Sequence, residues 1–108
     1  MGPSADARYE ELAERLLSDV IAACPALVNV RQAVWDADEH LAPGQRDQIV
    51  DATVAPNLAF WKGWRQAAIN LLHAMISEVI TNDQAVLPWR DRNAVILRII
   101  DRLTRHDD

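Results

Sequence analysis

Cysteine occurs once, at Cys24. An internal disulfide is therefore closed to this chain, and a reducing cytoplasm is its default setting. Glycine occurs three times and phenylalanine once, while alanine, leucine, valine and isoleucine dominate. That balance favours helix over sheet. Lysine is nearly missing: of eleven basic residues only Lys62 is a lysine, and sixteen acidic residues leave a formal charge of −5. Such a chain lacks the basic footprint of a general nucleic-acid-binding protein, so nucleic acid is not an expected partner. The first residues, MGPSADARYEE, carry neither the basic nor the apolar region of a secretory signal. Low-complexity tracts are lacking too.

What is present is apolar and helical. Half of the 108 residues are hydrophobic and 25% are charged, an ordinary globular balance. The length predicts one helical domain over 1–108. A core of that size leaves apolar surface over, and oligomerisation is a natural way to bury it.

The stretch Asn57 to Thr81 organises the rest. Put on a helix, Lys62, Gln66, Asn70, His73, Ser77 and Thr81 recur at steps of three or four and form one narrow polar stripe. Nearly everything else in it is apolar, including Leu58, Phe60, Trp61, Trp64, Leu71, Leu72, Ile76 and Ile80. A helix apolar on most of its circumference is packed on several sides. Lys62, Arg65 and Glu78 interrupt it too often for a membrane span. The fold expectation is an all-α bundle of four to five helices around this central, mostly buried one.

The flanking elements follow from caps and prolines. A first helix is expected from about Ala5 to Ala23, capped by Ser4 or Asp6, with Tyr9, Leu12, Ala13, Leu16, Leu17, Val20 and Ile21 inward. Pro25 ends it and opens a second helix with a seam of Leu27, Val30, Val34, Ala37 and Leu41. Ala42-Pro43-Gly44 is the strongest turn signal, followed by a short helix from about Gln45 to Val54 with Ile49 and Val50 inward. Pro56 predicts a break or kink, with the central helix restarting near it. Asn82-Asp83 closes that helix, Gln84 to Leu87 is a connector, and Pro88 starts a last helix to about Arg105. Its wide apolar face is Val95, Ile96, Leu97, Ile99, Ile100 and Leu103, and His106 falls in a frayed tail.

Two candidate sites come from these elements. The stripe Lys62, Gln66, Asn70, His73 and Ser77 could line a small-ligand pocket, with His73 as a general base near neutral pH. No nucleophile, base and orienting group stand together in it, so catalytic residues stay unassigned. His40, His73 and His106 lack neighbouring ligands at metal-binding spacing, and neither a metal nor a cofactor is expected. The second candidate is aromatic. Phe60, Trp61 and Trp64 lie within two turns, with Trp35 and Trp89 on elements able to approach them. Four tryptophans are hard to enclose in so small a chain. Trp64-Arg65 and Trp89-Arg90 have the composition of an interface hot spot.

Charge is uneven: residues 1–54 carry −6 and residues 55–108 carry +1. Arg98, Arg102 and Arg105 form a stripe able to face the acidic back of the first helix, within the molecule or across a dimer. The functional expectation is a cytoplasmic protein-interaction module of the adaptor, inhibitor or regulatory-subunit kind, binding a protein partner or itself as a homodimer. The alternative is a small-ligand binder or enzyme with its pocket around His73.

Overall fold

In a computed structural model of the chain, residues 4–46, 54–82 and 89–106 are described. They form four helices and no strand: α1 (Ala5–Ala23), α2 (Leu27–Arg46), α3 (Val54–Asn82) and α4 (Trp89–Thr104). The all-α expectation holds, with four helices among the described residues.

Local chemistry sets the ends. Ser4 caps α1 by accepting a hydrogen bond from the Ala7 amide at 3.2 Å, and Asp6 lies in the positive first turn. Cys24 precedes a proline, which bars it from helical geometry, and its backbone (φ −140°, ψ 80°) closes α1. A tight turn follows. The Leu27 amide reaches the Cys24 carbonyl and the Val28 amide that of Pro25, both at 3.1 Å, so α2 opens at Leu27 rather than at Pro25.

One proline reading needs correction. The turn expected at Ala42-Pro43-Gly44 is instead part of the last turns of α2, which continues to Arg46. Pro43 forfeits one helical amide bond, but the buried seam just before it, Leu27, Val34, Ala37 and Leu41, anchors the helix it ends. The central helix starts near Pro56 as expected: α3 opens at Val54 and Pro56 sits in its first turn, where an amide hydrogen would lack a helical partner anyway. The short helix expected from Gln45 to Val54 lies mostly outside the described residues, Ile49 and Val50 included; Gln45 belongs to the end of α2 and Val54 opens α3. So do Asp83, the connector from Gln84 to Leu87, and Pro88.

Side-chain pairs give the helix directions. Asp38 of α2 meets Arg65 of α3, and Val30 and Ala33 lie beside Ala67, Ala68 and Leu71, so α2 and α3 are antiparallel. Asp6 and Glu10 meet Arg98 and Arg102, while Leu17 and Ile21 lie near Arg102 to His106. First and last helices therefore run in the same direction. The core joins Ala13 and Val20 of α1, Leu27 and Val34 of α2, Leu72, Ile76 and Ile80 of α3, and Val95, Ile96, Ile99, Ile100 and Leu103 of α4. Each large member contributes about 1.5–3 kcal/mol on burial.

The arginine stripe finds its acids within the molecule. Arg98 lies 3.0 Å from Asp6 and 3.5 Å from Glu10, and Arg102 is 2.9 Å from Glu10. Arg105, just past the end of α4, pairs with Asp101 in its last turn. Between α1 and α4, the Tyr9 hydroxyl donates to Asp91 at 2.6 Å beneath the Arg98 guanidinium, 5.0 Å from the ring centroid. The bond to Asp91 is the main cause that pushes the Tyr9 phenol above its ordinary value; desolvation and the Asp91 charge add to it. The fold thus favours the neutral phenol. Its contribution is whole below the ordinary tyrosine range near pH 10 and is lost as pH rises through the raised value. Tyr9 is the single tyrosine, so phenolate absorbance reports it alone. The expected midpoint lies above that of a free tyrosine and falls back towards it in Asp91→Ala. An ordinary midpoint in both proteins would show that the bond does not form.

Candidate functional site

α3 touches all three other helices, but α4 does too. The central role read for α3 is shared. The inward face of α3 is a single seam of Ala68, Leu72, Ile76 and Ile80. Its outward side is split between two others. One is the polar stripe. The other is apolar: Phe60 is 56%, Trp64 47% and Leu71 50% exposed, and Ala67 and Ala74 are exposed on the same line. Steps of four, three, four and three residues place these five side chains on one flank of a helix. They stand opposite the polar stripe across the solvent-facing side. The mostly buried helix expected from sequence is thus exposed along this flank, because its neighbours cover only one side.

The aromatic residues support one another. Phe60 lies edge-on to Trp61, with centroids 5.1 Å apart, and 6.0 Å from Trp64; Trp61 and Trp64 are 6.2 Å apart. The His40 ring of α2 stacks on Trp61 at 3.8 Å, while its Nδ1 lies 2.7 Å from the Asp36 carbonyl oxygen. This holds the cluster at the N-terminal half of α3. Alongside it runs a shallow groove of about 330 Å³, lined by Asn29, Val30 and Ala33 of α2 and Trp64, Ala67, Ala68 and Leu71 of α3. Alanines at facing positions of α2 and α3 leave this space, since larger side chains there would fill it. Gly63 borders the stripe, and a Cβ on it would meet nothing within 4 Å.

Arg65 is turned inward from the groove. Its Nε donates to Asp38 at 2.6 Å. Asp38 also faces His106 Nε2 at 3.2 Å. His106, expected in a loose tail, lies 5.4 Å from the Trp35 ring, whose Nε1 donates to the Thr104 carbonyl at 2.9 Å. That bond satisfies one of the orphan carbonyls at the end of α4. Arg31 stands 4.5 Å over the other part of this arrangement, the Trp35 ring. Trp35 therefore serves the α2/α4 contact and does not join the aromatic cluster on α3.

The remaining sequence candidates are placed as follows. Arg90 is exposed at the start of α4, two residues before Arg92, whose guanidinium donates to Thr81 near the end of α3, about 25 Å along that helix from Trp64. The Trp89 side chain lies outside the described residues. The two Trp-Arg pairs thus do not form one patch. On the polar stripe, Lys62, Gln66 and Asn70 are exposed, and His73 and Ser77 are half-buried. Gln66 donates to Asn70 at 2.9 Å, and His73 Nε2 lies 2.9 Å from Asn93 Oδ1 of α4. His40, His73 and His106 sit against Trp61, Asn93 and Asp38 respectively and are not brought together.

Sequence reasoning missed Phe60 and Leu71 as surface residues, and missed the α2 wall altogether. The available signal was the width of the apolar arc on α3, broader than one buried seam requires. No family model, curated protein or solved structure matches the chain.

Proposed function

We propose that this chain is a cytoplasmic protein-interaction module and that the α2/α3 face is its binding surface. The observation that carries this is the uncharged stripe Phe60, Trp64, Ala67, Leu71 and Ala74, half-exposed beside an apolar groove. Isolated exposed apolar residues are ordinary, but a contiguous patch rich in aromatics is the composition of an interface core. Trp64 is its anchor: large, rigid, held by Phe60 and Trp61, and still 47% exposed. The polar stripe on the opposite flank, with His73 bonded to Asn93, serves as the solvated back of the same helix.

The test places a photoactivatable phenylalanine analogue at Leu71 or at Asn70, adjacent in sequence but on the apolar and polar flanks respectively. Illumination in a cell extract is expected to trap a polypeptide from Leu71 and none from Asn70. The adduct mass distinguishes a second copy from another protein. Equal trapping from both positions, or none from Leu71, overturns the assignment of this face.

A further inference from the structure

We infer that the crevice between α1 and α2, bordered by the end of α4, binds a small organic anion: a carboxylate or phosphate monoester carried on a flat apolar body. This site is separate from the α2/α3 face and does not depend on how that face is read.

The crevice follows from the topology. A tight turn joins α1 to α2, yet the two helices barely touch, because α1 packs mainly on α4 and α2 mainly on α3. Between them and the last turn of α4 lies a pocket of about 400 Å³. Sites for small molecules span about 300–1,000 Å³.

Its lining combines two chemistries. Leu17 and Ile21 of α1, with Leu103 of α4, make an apolar side. Arg31 and Trp35 of α2 face it, joined by Arg102, Arg105 and His106. No described carboxylate lines the pocket. In a chain of formal charge −5 this is a local reversal of sign.

Three of these groups are already answered by acids. Arg102 pairs with Glu10, Arg105 with Asp101, and His106 faces Asp38. Arg31 is not. Among the described residues it has neither an ion pair nor a hydrogen bond, and what it meets is the Trp35 ring at 4.5 Å. The residue is half-buried, and its Nε is enclosed without an acceptor. A guanidinium withdrawn from water without an anion is costly, and buried donors in native folds are normally met. An acceptor from outside the chain meets this one.

Trp35 fixes the geometry. Its Nε1 is held by the Thr104 carbonyl, so the ring against which Arg31 lies is locked in place. A guanidinium held there offers a planar fork, the shape that matches two oxygens of a carboxylate or phosphate. The same bond occupies a carbonyl at the negative end of α4 that would otherwise repel an anion. The anionic head belongs at Arg31, with Arg102 and Arg105 adding to the attraction, and the apolar body lies on Leu17, Ile21 and Leu103.

Naphthyl phosphate and naphthoate are the probes, titrated calorimetrically into the full chain. Neutral naphthol and inorganic phosphate represent the body and the head alone. At least one anionic probe is expected to bind saturably, at least about tenfold tighter than naphthol or inorganic phosphate. Arg31→Gln should weaken it by at least about tenfold, and Arg31→Lys, which keeps the charge but loses the fork, by less. Arg15→Gln removes the same charge from an exposed position on α1 and should leave the affinity within about twofold. Chemical shifts in the parent chain locate the probe whatever the variants do: Ile21, Trp35 and Leu103 should move, and Ala67 and Leu71 should not. Equal losses in Arg15→Gln and Arg31→Gln overturn the site. So do naphthol binding as tight as that of the anions, shifts centred on Ala67 and Leu71, and the absence of saturable binding by either anionic probe.

Discussion

Leu72→Asp is expected to yield a chain without a cooperative thermal transition. Leu72 is wholly buried, in the same core as Ile76 of its own helix and Val95, Ile96 and Ile99 of α4. Truncating a buried leucine alone costs about 2–5 kcal/mol. An unpaired carboxylate in that position adds several kcal/mol more, or keeps a proton at a comparable cost. The whole stability of a domain this size is about 5–15 kcal/mol, so the substitution removes most or all of it. Leu97→Asp is the matched control. Leu97 stands on the last helix, which is otherwise rich in buried residues, but is 51% exposed, and the change there should stay within about 0.5–1 kcal/mol. Circular dichroism melts of both variants give the answer. A transition for Leu72→Asp close to the parent's would refute its place in the core.

The double variant Trp64→Glu/Leu71→Glu should behave in the opposite way: a folded protein that no longer associates. Both side chains are half-exposed already, so the acids remain in water and the fold loses only part of their packing. Across an interface, however, an anchor tryptophan contributes about 2 kcal/mol or more, and the two carboxylates would have to be desolvated in an apolar contact. The dissociation constant is expected to rise at least about a hundredfold, corresponding to about 2.7 kcal/mol. Sedimentation over a dilution series reads the association, and the melt reads the fold. Retained association with an intact melt would place the interface elsewhere. A collapsed melt would mean that these residues hold the bundle together themselves.

How far the sequence carried this account varies by element. The seam of α2 was legible because Leu27, Val34, Ala37 and Leu41 follow one regular spacing and all four are buried. The limits of α1 were legible because Ser4 and Pro25 act locally, through one cap and one missing amide. The proline at 43 misled, since the cost of a proline depends on its distance from a helix end, and pattern alone does not fix that end. The apolar breadth of α3 was visible, but not its division. Which apolar arc turns inward depends on where α2 and α4 dock, a tertiary choice that hydrophobicity does not rank. For the same reason Trp35 could not be assigned to α4 in advance: its partner is a main-chain carbonyl, which carries no sequence signature. The Arg98–Asp6 and Arg102–Glu10 pairs were legible as a charge match, and only the structure distinguished an internal pair from one between copies.

The shared direction of α1 and α4 bears on the order in which the chain assembles. α2 runs antiparallel to α3, and Thr81 near the end of α3 meets Arg92 near the start of α4, so many contacts among these three helices close short loops and can form early. α1 belongs to no such hairpin. Its ion pairs span 92 residues of sequence, and its wholly buried side chains are only Ala13 and Val20. Exposed pairs of that kind add about 0–1 kcal/mol each. The helix held by the longest-range contacts would thus be the last to dock, waiting on a surface that exists only when α4 has formed.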